Sequence, residues 1–215
     1  MAINTNEAEY VSSFKRSTAV SIDMVIVMFF RIIVAQILGT LWLNKVIEKF
    51  VTEFNEHFGT EVIKNNPEHI EFIINHPAFY QMLAFYFLIL SIGLLYHSYL
   101  NSSAWEATIG KRLMNIRMTK DNHLKIGFGL GIAHYILSVL PIIFIIYLLT
   151  FMVNGHLTLF QAITYSPLNI FLGFASIFWI QIHAFTKRKT TIYDLICKIV
   201  FIHGKTTAKL PWSKI

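Results

Sequence analysis

Arg16, Asp23, His134 and Asp194 carry charge or titrate in stretches that are otherwise almost entirely apolar. A carboxylate in a low-dielectric setting resists ionisation unless a cation offsets it, and histidine titrates in the physiological range. Such a set could pass a proton or hold a small cation, with Asp23, Asp194 and His134 as the handling groups and Arg16 as an ion-pair partner. Arg16 and Asp23 are seven residues apart, about 20° short of two helical turns, so they share a helix face roughly 10 Å apart along the axis. Ala19 lies between them and is small enough for a neighbouring helix to approach. A structural reading stands beside this one: Arg16 pairs with Asp23 or Asp194 and pins the tail to the helices, or snorkels alone to the headgroups. The sequence leaves both open.

The elements that must position these residues are membrane helices. Of 215 residues, 55% are hydrophobic and only 14% charged, against roughly 25% charged in soluble domains. Mean hydropathy is +0.55. Apolar runs at about 19–43, 77–100, 126–153 and 167–185 are each near the roughly 20 residues a bilayer core demands. The expected fold is therefore all-α and integral to the membrane, with four transmembrane helices in a single domain, 1–215. No internal repeat stands out. Residues 1–15 read as a polar lead or surface helix, and Pro141 should kink the third span by removing a backbone hydrogen bond.

Residues 44–76 break the apolar pattern. Val46, Ile47, Phe50, Val51, Phe54 and Phe58 recur at helical spacing up to Gly59, and a second helix should start with Asn66 as cap and Pro67 in its first turn. Ile70, Ile73 and Ile74 share one face of it. This is the expected extracytoplasmic helical hairpin. Between spans two and three, NIRMT (115–119) alternates like a strand, and KIVFI (198–202) is rich in β-branched and aromatic residues. Pairing them would give a small cytoplasmic two-stranded ribbon. Residues 154–166 read as an uncharged turn.

Orientation follows from the cations. Fourteen of the 18 Lys and Arg fall in the N-terminus, the 101–125 connection and the tail, against Lys45, Lys49 and Lys64 in the hairpin. By the positive-inside rule both termini are expected to be cytoplasmic. The net charge of +6 is thus juxtamembrane and suits anionic lipid rather than nucleic acid. His97, Gln181 and His183 should fall near cytoplasmic span ends, and Lys111 and Arg112 are expected to contact lipid phosphates. Arg31 should point toward the cytoplasm along its helix. Glu53 and His57, four apart, could share a metal, although a solvated face explains them as well. Gly127 and Gly131 form a weak GxxxG packing signal.

Several chemistries are disfavoured. The single cysteine, Cys197, excludes an internal disulfide and a cysteine-built metal site. No HExxH, GxSxG, CxxC or phosphate loop is present, so neither an enzyme nor a cofactor is expected. No signal peptide is evident, because Glu7 and Glu9 stand where a cationic region belongs. The expected partners are the lipid bilayer and small cations or protons. Four spans are few for a transporter, which makes a homodimer plausible.

Three segments carry a resemblance. FKRSTAVSID with Arg16 and Asp23, TIGKRLMNIRM with Thr108, Gly110, Lys111 and Arg112, and KRKTTIYDLICKIVFI with Asp194 occur in the order seen in the RDD family of bacterial membrane proteins. The chain resembles that family from about Phe14 to Ile202. It departs at Ile109, where proline is usual, and at His134, where arginine is common. The resemblance implies a multi-span fold and a transport role, with sodium/proton antiport attributed to some members. The rival reading is a non-transporting membrane scaffold that recruits a partner through residues 44–76.

Overall fold

The computed structural model describes residues 10–59, 66–155, 158–181, 186, 189–204 and 206. His183, Lys187, Arg188 and Lys64 lie outside them. The protein is mostly helical, and three of its helical stretches are long and apolar enough to cross a membrane: Ser13–Phe58, Pro77–Asn101 and Phe128–Thr150. Contacts divide the chain into two units, one made of residues 1–24 and 94–215 and the other of residues 25–93.

The second unit is simple. Helix α1 (Ser13–Leu38) enters it and continues through a π-helical turn, Gly39–Leu43, into α2 (Asn44–Phe58) without a break. The amphipathic pattern marks a change of face rather than a change of element. Gly59 ends α2 at φ 73°, a left-handed value that glycine adopts without strain. Helix α3 (Pro67–Asn75) is capped by Asn66, whose side chain accepts from the Glu68 amide at 3.2 Å. The face that α3 buries is not the isoleucine one: Ile70 and Ile74 are exposed, while His69 is buried and Phe72 packs on Phe50, Phe54 and Phe58. Aromatic area outweighs aliphatic here, because stacked and edge-on ring pairs add to simple burial. Helix α4 (Pro77–Asn101) follows at once.

In the first unit, a short helix α5 (Ile109–Leu113) leads into β1 (Ile116–Lys120), and α6 (Phe128–Gly155) follows. Helix α6 runs through Pro141, which cannot donate to the Leu137 carbonyl four residues back. The Trp179 indole donates to that oxygen instead, at 2.8 Å. A neighbouring side chain thus re-satisfies the freed group, as a lipid setting requires. The stretch read as a turn contains α7 (Leu159–Thr164), started by a capping box between Thr158 and Gln161. Helix α8 (Pro167–Gln181) has 15 described residues, about 22 Å at 1.5 Å each, short of the ~30 Å core.

The chain then forms α9 (Ile192–Ile196) and β2 (Ile199–His203), which pairs antiparallel with β1 around the Met118–Phe201 couple. Of the described part of the N-terminal lead, residues 13–15 open α1, while 10–12 are not helical: Tyr10 bridges to Ile202, and the Val11 amide donates to Phe201 O at 3.2 Å, covering the other edge of β2. Val11, Ala19, Ile116, Met118, Ile126, Ile199 and Phe201 form the core here.

An internal repeat does exist, at the level of structure. Thr108–Lys120 and Thr191–His203 both run threonine cap, five-residue helix, a C-capping residue (Met114 or Cys197), one left-handed residue and five-residue strand. The left-handed residues are Asn115 (φ 60°) and Lys198 (φ 52°). Aligned this way, only the capping Thr, the Ile after it and the first strand Ile recur between TIGKRLMNI and TIYDLICKI, too few to be seen in sequence. The antiparallel pairing relates the two copies by an approximate two-fold axis at Met118 and Phe201. Lys111 and Asp194 occupy equivalent places in it, the third residue of each short helix.

Candidate functional site

Asp194 is fully buried and accepts three hydrogen bonds. It is the third helical residue of a capping box. The Thr191 amide donates to Oδ2 at 2.8 Å, and the Asp194 amide donates to Thr191 Oγ1 at 3.3 Å. Arg16 Nη2 reaches the same Oδ2 at 2.7 Å, and His134 Nε2 lies 2.8 Å from Oδ1. Arg16 also donates to the Lys189 carbonyl, and its guanidinium lies 4.0 Å from the Phe201 ring centroid. One cation therefore fastens α1 to the start of α9 and to β2. Burial alone would raise the Asp194 pKa, but the His134 hydrogen bond and the Arg16 charge outweigh it and hold the carboxyl at about 2.

Asp23 forms a separate constellation. Its Oδ1 accepts from Tyr96 Oη at 2.7 Å and from the Gly110 amide at 2.8 Å, and its Oδ2 accepts from Thr108 Oγ1 at 2.5 Å. No arginine or lysine lies within salt-bridge distance of it among the described residues. The sequence expectation that Arg16, Asp23 and Asp194 converge holds for Arg16 and Asp194 only. Asp23 instead holds the N-terminus of α5, where backbone and hydroxyl donors suit an anion. The approach is close because residue 110 is glycine: a Cβ there would stand 2.2 Å from the Ala19 carbonyl oxygen.

Lys111 corrects another expectation. Its side chain turns inward, away from any lipid phosphate. Its ammonium donates to Asn101 Oδ1 at 2.9 Å and to Met118 Sδ at 3.2 Å, and lies 5.0 Å from the Phe201 centroid. The ring of Phe201 thus faces both Arg16 and Lys111. Burial pushes the Lys111 ammonium down to about 8, against the pull of Asp23 and Asp194. Between pH 8 and its ordinary 10.5, the unfolded chain holds a proton that the folded protein has released, so stability rises with pH there. Chemical denaturation in detergent should show that slope, and Lys111→Met should abolish it. An unchanged slope in the variant would refute the assignment.

The remaining candidates are placed as follows. Arg112 lays its guanidinium 4.5 Å from the Trp105 centroid and donates to Thr206, rather than standing free for phosphate. Arg31 does not snorkel; it donates to the Ile89 and Leu90 carbonyls of α4 at 3.2 and 3.4 Å. Helix carbonyls retain a second lone pair, which makes them usable acceptors in an apolar setting. Glu53 turns to His76 rather than to His57: it meets His76 Nε2 at 2.5 Å, while His57 stacks on Phe72. No group of three or more metal-competent side chains occurs among the described residues. Gly131 packs against Ser98, whereas a Cβ at Gly127 would meet nothing, so half of the GxxxG signal is used. His97 stacks on Tyr135, and Gln181 is the last residue of α8.

Sequence reasoning missed Tyr96 and Phe201. It also missed the capping role of Thr191, although T-x-x-D at 191–194 is a capping-box signal. With this arrangement in view, the match to the RDD family model over residues 10–198 is decisive. The chain belongs to the RDD family. Comparison with curated proteins and with solved structures gives no match. The RDD match takes in Arg16, Asp23 and Asp194, and it ends just before β2.

Proposed function

We propose that the buried charges of this RDD protein act as clasps rather than as a transport path, and that the chain is a non-catalytic membrane module presenting α2 and α3 to a partner. The observation that supports this is the saturation of both acids. Asp194 is occupied by Arg16, His134 and the Thr191 amide, and Asp23 by Tyr96, Thr108 and the Gly110 amide. A carboxylate engaged in this way offers little to a passing cation. The α2–α3 face supplies a groove of about 560 Å³ lined by His57, Glu68, Glu71, Phe72, Asn75 and His76, whose acidic edge suits a basic segment. In proteoliposomes, the protein should carry no proton or sodium flux above that of empty vesicles. Flux that depends on pH and disappears in Asp23→Asn would overturn the proposal.

One observation favours the rival, proton-coupled movement of a small cation. Lys111 is a buried ammonium without an ion pair among the described residues, able to titrate between the two acids. In that reading Asp23, Asp194 and His134 handle the ion and Arg16 sets their charge. Both readings share one topology: a fourth span from 167 to 185, both termini and the strand pair on the cytoplasmic side of a bacterial inner membrane, and α2–α3 outside. The uneven distribution of Lys and Arg supports that orientation. The bilayer is the primary partner, a homo-oligomer is compatible with it, and nucleic acid has no part in either.

A further inference from the structure

We propose that the groove between α2 and the start of α4 is a binding site for the headgroup of an anionic phospholipid. Trp42, Val46, Pro77 and Ala78 give it an apolar floor, and Lys45 and Lys49, one helical turn apart, give it a cationic edge. Its volume of about 270 Å³ falls just below the roughly 300–1,000 Å³ of sites that swallow a small molecule. That size takes a phosphate ester and leaves the acyl chains outside.

The charges in the groove are arranged unequally. Glu53 is the acid at its rim, and both of its oxygens are engaged. Oε2 meets His76 at 2.5 Å, and Oε1 lies 3.7 Å from Lys49. The Ala78 amide donates to His76 Nδ1 at 3.1 Å, so the ring proton sits on Nε2 and points at Glu53. Lys45 has no hydrogen bond or ion pair among the described residues and is exposed. The groove therefore keeps one uncompensated cation and a second that is only loosely held. The first turn of α4 adds the positive end of a 25-residue helix.

The level of the groove points to lipid. Trp42 stands next to the end of the apolar run, two residues before Asn44, where the bilayer boundary is expected and where tryptophan concentrates. Pro77 and Ala78 open the apolar stretch of α4 at the same groove. Exposed Ile37 and Leu41 on one helix, and Tyr80 and Leu83 on the other, continue toward the apolar core as a surface for acyl chains. The π-helical turn at Gly39–Leu43 contributes as well. It inserts one residue into the helix, turning α2 by about 100° relative to an uninterrupted α1. That rotation sets the Lys45–Lys49 edge beside the Trp42 floor, and Trp42 is itself braced by Phe85 at 6.3 Å.

The test uses the full chain in detergent, with native mass spectrometry to count retained lipid. Phosphatidylglycerol should bind about tenfold more tightly than phosphatidylcholine, about 1.4 kcal/mol, and Lys45→Gln with Lys49→Gln should remove that preference, since two lysines near a headgroup supply up to roughly 2 kcal/mol and Glu53 offsets part of Lys49. Lys120→Gln with Lys125→Gln, remote in sequence from the groove, should keep it. Equal binding of the two lipids, or equal loss in both double variants, overturns the proposal. Competition by millimolar inorganic phosphate also overturns it, because the site would then read a free anion. Melting in phosphatidylcholine nanodiscs checks that the double variants remain folded, and Lys45→Arg should retain binding.

Discussion

Gly110→Ala should abolish folded protein, whereas Gly127→Ala and Gly129→Ala should leave it unchanged. By intrinsic propensity the changes at Gly110 and Gly129, both helical, ought to help a helix by up to about 1 kcal/mol, while Gly127 stands just before α6 with open space around it. At Gly110, however, the added methyl would stand 2.2 Å from the Ala19 carbonyl oxygen and 2.9 Å from Asp23 Cγ and Oδ1. Both neighbours are fixed: the first is helix backbone, and the second is a buried carboxylate held by Tyr96 and Thr108. Relief requires α5 to withdraw from α1, which breaks the Gly110 amide bond to Asp23. Overpacking and an orphaned carboxylate together should cost on the order of 4 kcal/mol or more. Size-exclusion profiles and melting curves in detergent would read this directly. A monodisperse Gly110→Ala protein melting with the wild type would remove the α1–α5 contact from the account.

Asp194→Asn should be the most damaging charge change, destabilising by about 3–5 kcal/mol, because it leaves the Arg16 guanidinium buried against Phe201 without its counter-ion. Arg16→Met in the same protein should recover part of the loss, giving a coupling energy well above the ~1 kcal/mol of surface pairs. The acid dependence has a definite sign. Asp194 is held at about 2, below its ordinary 3.8, so its contribution is complete above pH 4 and is lost as pH falls through 2. Additive single losses, or an Asp194→Asn protein with wild-type acid stability, would show that the clasp is not what holds β2 to α1.

These effects rest on a division between local and long-range information. The apolar runs, the end of α2 at Gly59, the Asn66–Pro67 start of α3 and the buried Ile116 and Met118 on either side of Arg117 in β1 are local signals, each contained within one element or its caps. Bilayer length and backbone capping act over a few turns, so a single sequence reveals them. The same locality explains why residues 44–58 read as a separate hairpin arm: a switch of helix face looks like a break when only hydropathy is followed.

Which acid meets which cation was beyond the sequence. Arg16 and Asp194 are 178 residues apart, and Asp23 and Gly110 are 87 apart. Periodicity put Arg16 and Asp23 on one face, but the fold gave them different partners. Asp23 accepts from the Gly110 amide and the Thr108 hydroxyl, and Asp194 is presented to Arg16 by its own capping box. Lys111 points inward, where the strand pair supplies Met118 and Phe201 and the end of α4 supplies Asn101, within a two-fold repeat that only the backbone preserves. The sequence by itself determined a membrane helix bundle with three improbable charges. The tertiary structure decided that Asp194 is paired with a cation while Asp23 is held by neutral donors, since the energy of a buried charge depends on its distance to partners rather than on its place along the chain.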